Sequence, residues 1–127
     1  QLVASLGSAE YTYSARVIHI VDGDTIDVTV DLGFKITRDV RLRLLGIDTA
    51  EIYGVEDTSE TYKRGMKHKE FVADWLDESF DSEYPLLIGT HKQGKFGRYL
   101  ATVWRPDKKA SLNAAVRSEF DNVAYTG

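Results

Sequence analysis

Acidic and basic side chains recur in three short segments of this chain. The first segment is Asp22-Gly23-Asp24-Thr25, the second runs from Arg43 to Glu51 as RLLGIDTAE, and the third runs from Gly97 to Ala101 as GRYLA. Carboxylate oxygens are ligands for hard cations such as Ca²⁺, and guanidinium groups bind phosphate through paired donors. If folding brings the three segments together, they predict metal-assisted cleavage of a phosphodiester bond.

Each candidate residue has its own expected task. Asp24 and Asp48 are the paired carboxylates for a cation, and Arg43 and Arg98 are the donors for a phosphate. Glu51 follows Asp48 by three residues and is suited to act as general base on a water molecule. Taken one at a time, these patterns are more typical of plain turns and helix caps. In the first segment, for example, the glycine is expected to supply a positive φ in a turn.

Five strands and two helices are predicted around these segments. Alternating apolar residues indicate strands over 14–21, 25–32, 35–47, 84–90 and 98–104, and helical spacing indicates helices over 59–80 and 111–119. The first helix lies between the third and fourth strands of an expected antiparallel set, which is the arrangement of an OB-type barrel. The expected fold class is therefore mainly β with helices. Residues 1–10 are expected to form a flexible arm, and residues 11–127 a single domain.

The same patterns predict which side chains are buried. The first helix is expected to be capped by Thr58 or Ser59 and the second by Ser111. The first helix is expected to bury one stripe, made of Tyr62, Met66, Lys69, Val72, Ala73, Leu76 and Phe80. The barrel core is expected to include Ile18, Ile26, Val28, Leu44, Leu76, Leu87 and Val103. His19, His68 and His91 have no metal-ligand spacing and are interpreted as structural or surface residues.

Composition excludes several classes of protein. The 127 residues include no cysteine, which excludes disulfide scaffolds, thiolate zinc sites and cysteine nucleophiles. No apolar run is long enough to span a membrane. The formal net charge of −4 excludes a uniformly basic coat for nucleic acid but leaves room for a local basic cleft. Bases are concentrated between Lys92 and Lys109, and acids between Asp48 and Glu60.

Four motifs in fixed order resemble the staphylococcal nuclease (thermonuclease) family. They are VDGDT at 21–25, RLLGIDTAE at 43–51, KFGRYLA at 95–101 and LNAAVR…VAY at 112–125, so the resemblance covers nearly the whole chain. It implies a five-stranded OB-type barrel with three helices. It also implies Ca²⁺-dependent hydrolysis of DNA and RNA that leaves 5′-hydroxyl and 3′-phosphate ends. A monomer is expected, and a secreted or cell-envelope location is slightly favoured.

The resemblance implies a role for each matching residue. Asp24 and Asp48 match Ca²⁺ ligands, and Thr49 matches the residue that lends its backbone carbonyl to the ion. Further matches are Glu51 to the general base, Arg43 and Arg98 to the phosphate-binding arginines, and Lys95 and Tyr125 to nucleotide contacts. Asp22 matches an acid near the metal that is not a main ligand.

The chain departs from the family pattern at Ala50, where proline is usual, and at Phe96, where a tyrosine hydroxyl is usual. The first departure is expected to loosen Glu51, and the second to weaken phosphate binding. The acidic net charge predicts weaker non-specific attraction to nucleic acid. Two alternatives remain open at this point. One is a non-catalytic nucleic-acid or protein-binding module of the same family, and the other is an oligosaccharide-binding OB module.

Overall fold

Five strands form a closed barrel with two helices packed against it. The computed structural model describes residues 11–50, 52–77, 83–93, 99–107, 109–120 and 123. The elements in chain order are β1 Tyr11–Asp22, β2 Thr25–Asp31, β3 Thr37–Leu44, α1 Glu60–Leu76, β4 Leu86–Gln93, β5 Tyr99–Trp104 and α2 Leu112–Glu119. The strand order around the barrel is β1-β2-β3-β5-β4, and β1 also pairs with β4 to close it. The OB-type barrel predicted from the sequence is confirmed.

One strand pair corrects the expectation of a fully antiparallel set. β3 and β5 run parallel, with Leu42 opposite Tyr99 and Leu44 opposite Ala101. The other four pairs are antiparallel. A closed ring with an odd number of strands cannot alternate direction all the way round, so at least one parallel pair is required. The described residues contain two helices of the three that the resemblance implies.

The barrel interior is filled by aliphatic side chains that alternate along the strands. The predicted core residues Ile26, Val28, Leu44, Leu76 and Val103 are all buried. Ile18 is 49% exposed, and that prediction is wrong. β1 pairs Val17 with Val28 and His19 with Asp27, so Ile18 is the extra residue of a bulge and does not continue the inward alternation.

Leu87 also departs from its prediction, because it is only partly buried. Its neighbours Leu86 and Ile88 are the buried hydrophobic residues of β4. Three consecutive apolar residues carry no alternation, and the inward face is set by pairing with β1, where Ala15 lies opposite Leu86. β3 is shorter than predicted. It ends at Leu44, and Gly46 has a φ of 79° in the turn that follows.

α1 begins where the sequence predicts, and its buried face overlaps the predicted stripe only in part. Ser59 is the N-cap, and its side chain accepts a hydrogen bond from the backbone N–H of Tyr62. The helix ends at Leu76, and Phe80 lies outside the described residues. Its buried residues are Gly65, His68, Val72, Trp75 and Leu76. Val72 and Leu76 belong to the predicted stripe and confirm it in part. Gly65, His68 and Trp75 each lie one position before a predicted residue, so the buried face is turned toward them and only partly coincides with the predicted stripe. α2 begins after the predicted cap Ser111, which accepts from the backbone N–H of Ala114.

Candidate functional site

The end of β3 and the β1–β2 turn lie side by side at one end of the barrel. Thr25 is paired with Arg43 across β2 and β3, and the backbone N–H of Leu44 donates to the carbonyl of Asp24 at 2.8 Å. The turn residues Gly23 and Asp24 therefore meet the loop that follows β3. The first two of the three segments that carry the candidate residues therefore lie next to each other, as their predicted chemistry requires.

The guanidinium group of Arg43 lies between the two candidate metal-binding carboxylates. Its Nη1 lies 3.3 Å from Oδ2 of Asp24, and its Nη2 lies 3.3 Å from Oδ1 of Asp48. Nη1 also donates to the backbone carbonyl of Ile47. The Arg43 side chain is 16% exposed, whereas that of Asp48 is 59% exposed. Arg43 is thus a largely enclosed cation, fixed by three acceptors, at a site that opens to solvent on the Asp48 side.

Asp24 is the most enclosed acid of the site among the described residues. Its Oδ2 accepts from the backbone N–H of Thr49 at 3.0 Å, and its Oδ1 accepts from the hydroxyl of Thr25 at 2.8 Å. Burial raises the pKa of Asp24, but a hydrogen bond with Asp22, the charge of Arg43 and the Thr49 amide together lower the pKa below its ordinary value of 3.8. Asp24 therefore carries a negative charge at neutral pH.

Gly23 is required by close packing, which corrects the expectation that it supplies a positive φ. Among the described glycines, positive φ occurs at Gly33, Gly46 and Gly54 but not at Gly23. A Cβ at Gly23 would lie 2.6 Å from Cβ of His68 and 2.9 Å from both Cγ2 and Oγ1 of Thr49. The turn itself is closed by the backbone N–H of Asp24, which donates to Oδ1 of Asp22 at 3.0 Å. Only a residue without a side chain lets the turn, α1 and the loop after β3 meet here.

His68 connects α1 to the loop that carries Asp48 and Thr49. It is buried, and its Nδ1 accepts a hydrogen bond from the backbone N–H of Ala50 at 3.1 Å. Its ring packs edge-on against Phe120, with centroids 4.5 Å apart. Burial and the charge of Arg64 lower the pKa of His68 by more than Asp24 raises it. The ring is therefore neutral at physiological pH, with Nδ1 as an acceptor, and the prediction of a structural histidine is confirmed.

Asn113 fixes the other side of the same loop. Its side-chain amide donates to the carbonyl of Leu45 at 2.8 Å and to that of Ala101 at 3.0 Å, and its oxygen accepts from the backbone N–H of Val103 at 3.1 Å. One buried side chain on α2 thus satisfies three backbone groups on β5 and on the turn after β3. Analysis of the sequence alone missed this role, although Asn113 lies within the LNAAVR motif.

The structure thus brings together Asp24, Arg43, Asp48 and Thr49. The other predicted site residues lie outside the described residues, and they are Glu51, Lys95, Arg98 and Tyr125, together with the departure at Phe96. Within the described part of the chain, no group of three or more His, Asp or Glu residues is arranged to hold a metal. The hydroxyl of Thr49 is buried and has no hydrogen-bond partner among the described residues.

Two proteins with curated sequences are similar to this chain. The uncharacterized protein MJ1439 of Methanocaldococcus jannaschii is 32% identical in an alignment 120 residues long, and the match covers 80% of this chain and 53% of that protein. Protein ParB of Escherichia coli is 30% identical in an alignment 122 residues long, and the match covers 91% of this chain and 58% of that protein. The chain therefore spans a little over half the length of each of these relatives. No family model matches it. None of the described helices is long and apolar enough to cross a membrane.

Proposed function

We propose that this chain is a Ca²⁺-dependent phosphodiesterase of the staphylococcal nuclease type, which hydrolyses DNA and RNA and leaves 5′-hydroxyl and 3′-phosphate ends. The observation that carries the proposal is the placement of Arg43 between Asp24 and Asp48 at the end of β3. A largely enclosed arginine beside an opening to solvent offers the paired donors that bind a phosphate. The four sequence motifs support the same assignment.

The residues present suit a hard cation. Asp24 and Asp48 both direct an oxygen at the Arg43 guanidinium, so they face a common region, and the Thr49 carbonyl is the third oxygen that we assign to the ion. The Thr49 hydroxyl, which has no hydrogen-bond partner among the described residues, adds one more oxygen in the same loop. When bound, Ca²⁺ would supply Lewis-acid stabilisation of the negative charge that builds up on the phosphate during cleavage.

The protein side chains divide the remaining work. Arg43 binds and orients the phosphate, and its rigid support means that little reorganisation is needed as negative charge develops. We assign the second guanidinium to Arg98. We assign Glu51 the role of general base, which removes a proton from the attacking water. His68 and Asn113 hold the loop between β3 and α1, and they act as positioning residues because neither is assigned a contact with substrate.

The test is a cleavage assay on plasmid DNA and on a single-stranded RNA, each with Ca²⁺, with Mg²⁺ or with EDTA. We expect cleavage with Ca²⁺, less with Mg²⁺ and none with EDTA. Fragment ends should accept label from polynucleotide kinase directly at the 5′ side, because the 5′ end is a free hydroxyl. Asp24→Asn and Glu51→Gln should lose most of the activity.

Arg41→Lys is the matched control for Arg43→Lys. Arg41 lies on the same strand, two residues away, and is paired with Asp27 at 2.8 Å outside the site. Activity should fall for the Arg43 variant and persist for the Arg41 variant. If purified protein binds nucleic acid in Ca²⁺ without cutting it, the non-catalytic module is the correct assignment. Equal activity in all variants would mean that another site, or a contaminating nuclease, does the cutting.

A further inference from the structure

The end of the barrel opposite the Arg43 site contains an open cavity of about 430 Å³. All five strands contribute to it: β1, β3 and β5 near their first residues, and β2 and β4 near their last. Its floor is made of the buried core residues Val30, Leu42 and Ile88. A volume of this size is within the range of small-molecule sites, roughly 300–1,000 Å³.

Aromatic residues form much of the wall of this cavity. Tyr11, Tyr13 and Tyr99 all line it, and Tyr11 is 63% exposed. These tyrosines occupy inward-facing positions, because Tyr13 and Tyr11 continue the alternation of the buried Ala15, and Tyr99 continues that of the buried Ala101. The interior of a small barrel is ordinarily filled by side chains. Here the last inward-facing layer surrounds free space, with aromatic surface available to a flat ring.

Arg38 is the one arginine or lysine among the described residues that line this cavity. Arg38 lines the cavity and is exposed, and no ion pair joins it to any carboxylate in the described ranges. Arg41, by contrast, is held by both carboxylate oxygens of Asp27. The acids of the neighbouring sheet positions accept hydrogen bonds from other groups. Asp39 accepts from the Thr29 hydroxyl, and Asp31 accepts from the backbone N–H of Gly33. The cavity thus combines apolar and aromatic walls with one available positive charge.

We propose that this cavity binds a nucleoside monophosphate, with its base between the tyrosine rings and its phosphate on Arg38. Tyrosine stacks on the flat ring of any nucleic-acid base, and a guanidinium group binds phosphate through paired donors. The site is distinct from the Arg43 site. Arg38 and Arg43 are five residues apart on one strand, which is roughly 17 Å, and an odd separation places them on opposite faces. The inference goes beyond the proposed function because it concerns a second site, which is tested by binding and not by cleavage.

Binding is measured by two-dimensional amide NMR and by calorimetry, in EDTA. The probes are AMP, adenosine, ribose 5-phosphate and inorganic phosphate. We expect AMP to bind most tightly, with adenosine and ribose 5-phosphate each at least about ten-fold weaker, because each lacks one of the two contacts. The amide shifts should centre on Tyr13, Leu42, Ile88 and Tyr99. Arg38→Glu should weaken AMP binding by about ten-fold or more while adenosine is unaffected.

Two further variants test whether binding takes place in this cavity. Arg117→Glu makes the same change of charge at an exposed arginine of α2 and should leave AMP binding unchanged. Val40→Phe adds bulk to the cavity wall and should abolish binding of AMP and adenosine together, so the proposal can still be tested if one variant does not fold. The proposal is overturned if AMP shifts only residues of the β1–β2 turn and the loop after β3. It is equally overturned if no probe binds at millimolar concentration, or if Arg38→Glu and Arg117→Glu weaken AMP equally.

Discussion

Gly23→Ala is the substitution that tests most directly how this site is assembled. The added Cβ would lie 2.6 Å from Cβ of His68, which is rigidly attached to α1, and 2.9 Å from two side-chain atoms of Thr49. Ordinary contacts at such an atom begin at 3.4 Å, so the closest approach is short by about 0.8 Å. Because neither neighbour is the far end of a flexible side chain, the turn, the helix or the loop has to move.

Both stability and activity should respond to that movement. Forcing an extra carbon into a packed junction typically costs about 1–3 kcal/mol of unfolding free energy. The junction joins Asp24 to Thr49 and to the loop of Asp48, and displacements near 1 Å in a catalytic site lower rates by about 10²-fold. We therefore expect Gly23→Ala to lose about 10²-fold in kcat/KM for DNA cleavage, beyond what its reduced stability explains. Denaturant titration and steady-state cleavage of a short oligonucleotide measure the two effects.

Gly33→Ala is the matched control. Gly33 has a φ of +83°, and no atom lies within 4 Å of the point that a Cβ would occupy, so alanine there is strained without any clash. That strain is about 1–2 kcal/mol, which is close to the loss expected at Gly23, but it arises in the β2–β3 loop away from the Arg43 site. Activity of folded Gly33→Ala should be near that of the unmodified protein. The reasoning fails if Gly23→Ala is as stable and as active as the unmodified protein, or if both alanine variants lose activity equally.

Three other predictions concern single groups of the site. Arg43→Lys keeps the charge but loses the paired donors, so single-turnover cleavage should slow by on the order of 10²-fold, whereas substrate affinity changes less. Saturating Ca²⁺ at about 100 times its dissociation constant should raise the unfolding free energy by about 2.7 kcal/mol, and Asp24→Asn should remove that increment in a thermal-shift titration. Because the pKa of His68 is lowered in the folded state, the unfolded chain binds more protons below about pH 6.5, and stability should fall as the pH drops through that value. His68→Leu should flatten this pH dependence, and it should lower stability at pH 8 by about 1–3 kcal/mol because the Ala50 N–H loses its acceptor. A pH profile unchanged by His68→Leu would show that other groups set it.

Much of the fold could be predicted because the barrel strands carry regular alternation. β2 has it most clearly, with Ile26, Val28 and Val30 buried as a row. The prediction was wrong where pairing between strands, and not local pattern, decides which side chain faces inward. The bulge at Ile18 and the run around Leu87 are both of this kind.

The candidate site was predictable only as a set of segments. The motifs placed Asp24, Arg43 and Asp48 near one another because they lie at strand ends that an OB-type barrel brings together. The supporting contacts could not be predicted, because they depend on how α1 docks against the β1–β2 turn. A hydrophobicity pattern ranks His68 low, although its buried ring fixes the loop through Ala50. The need for glycine at position 23 could not be predicted either, because the side chain that it makes room for, His68, lies 45 residues further along the chain.

The hydrogen bond from Ala50 to His68 couples the residues that these two positions can hold. Proline at position 50 has no N–H and would leave a buried ring nitrogen without its donor, so the proline usual in thermonuclease-like chains is not a neutral exchange here. We therefore expect positions 50 and 68 to covary among relatives, with an alanine or another N–H donor where position 68 is histidine. A double-mutant cycle between Ala50→Pro and His68→Leu should show favourable coupling, because the second change removes the acceptor that the first leaves unpaired. Strict additivity of the two changes would show that the hydrogen bond does not couple these positions.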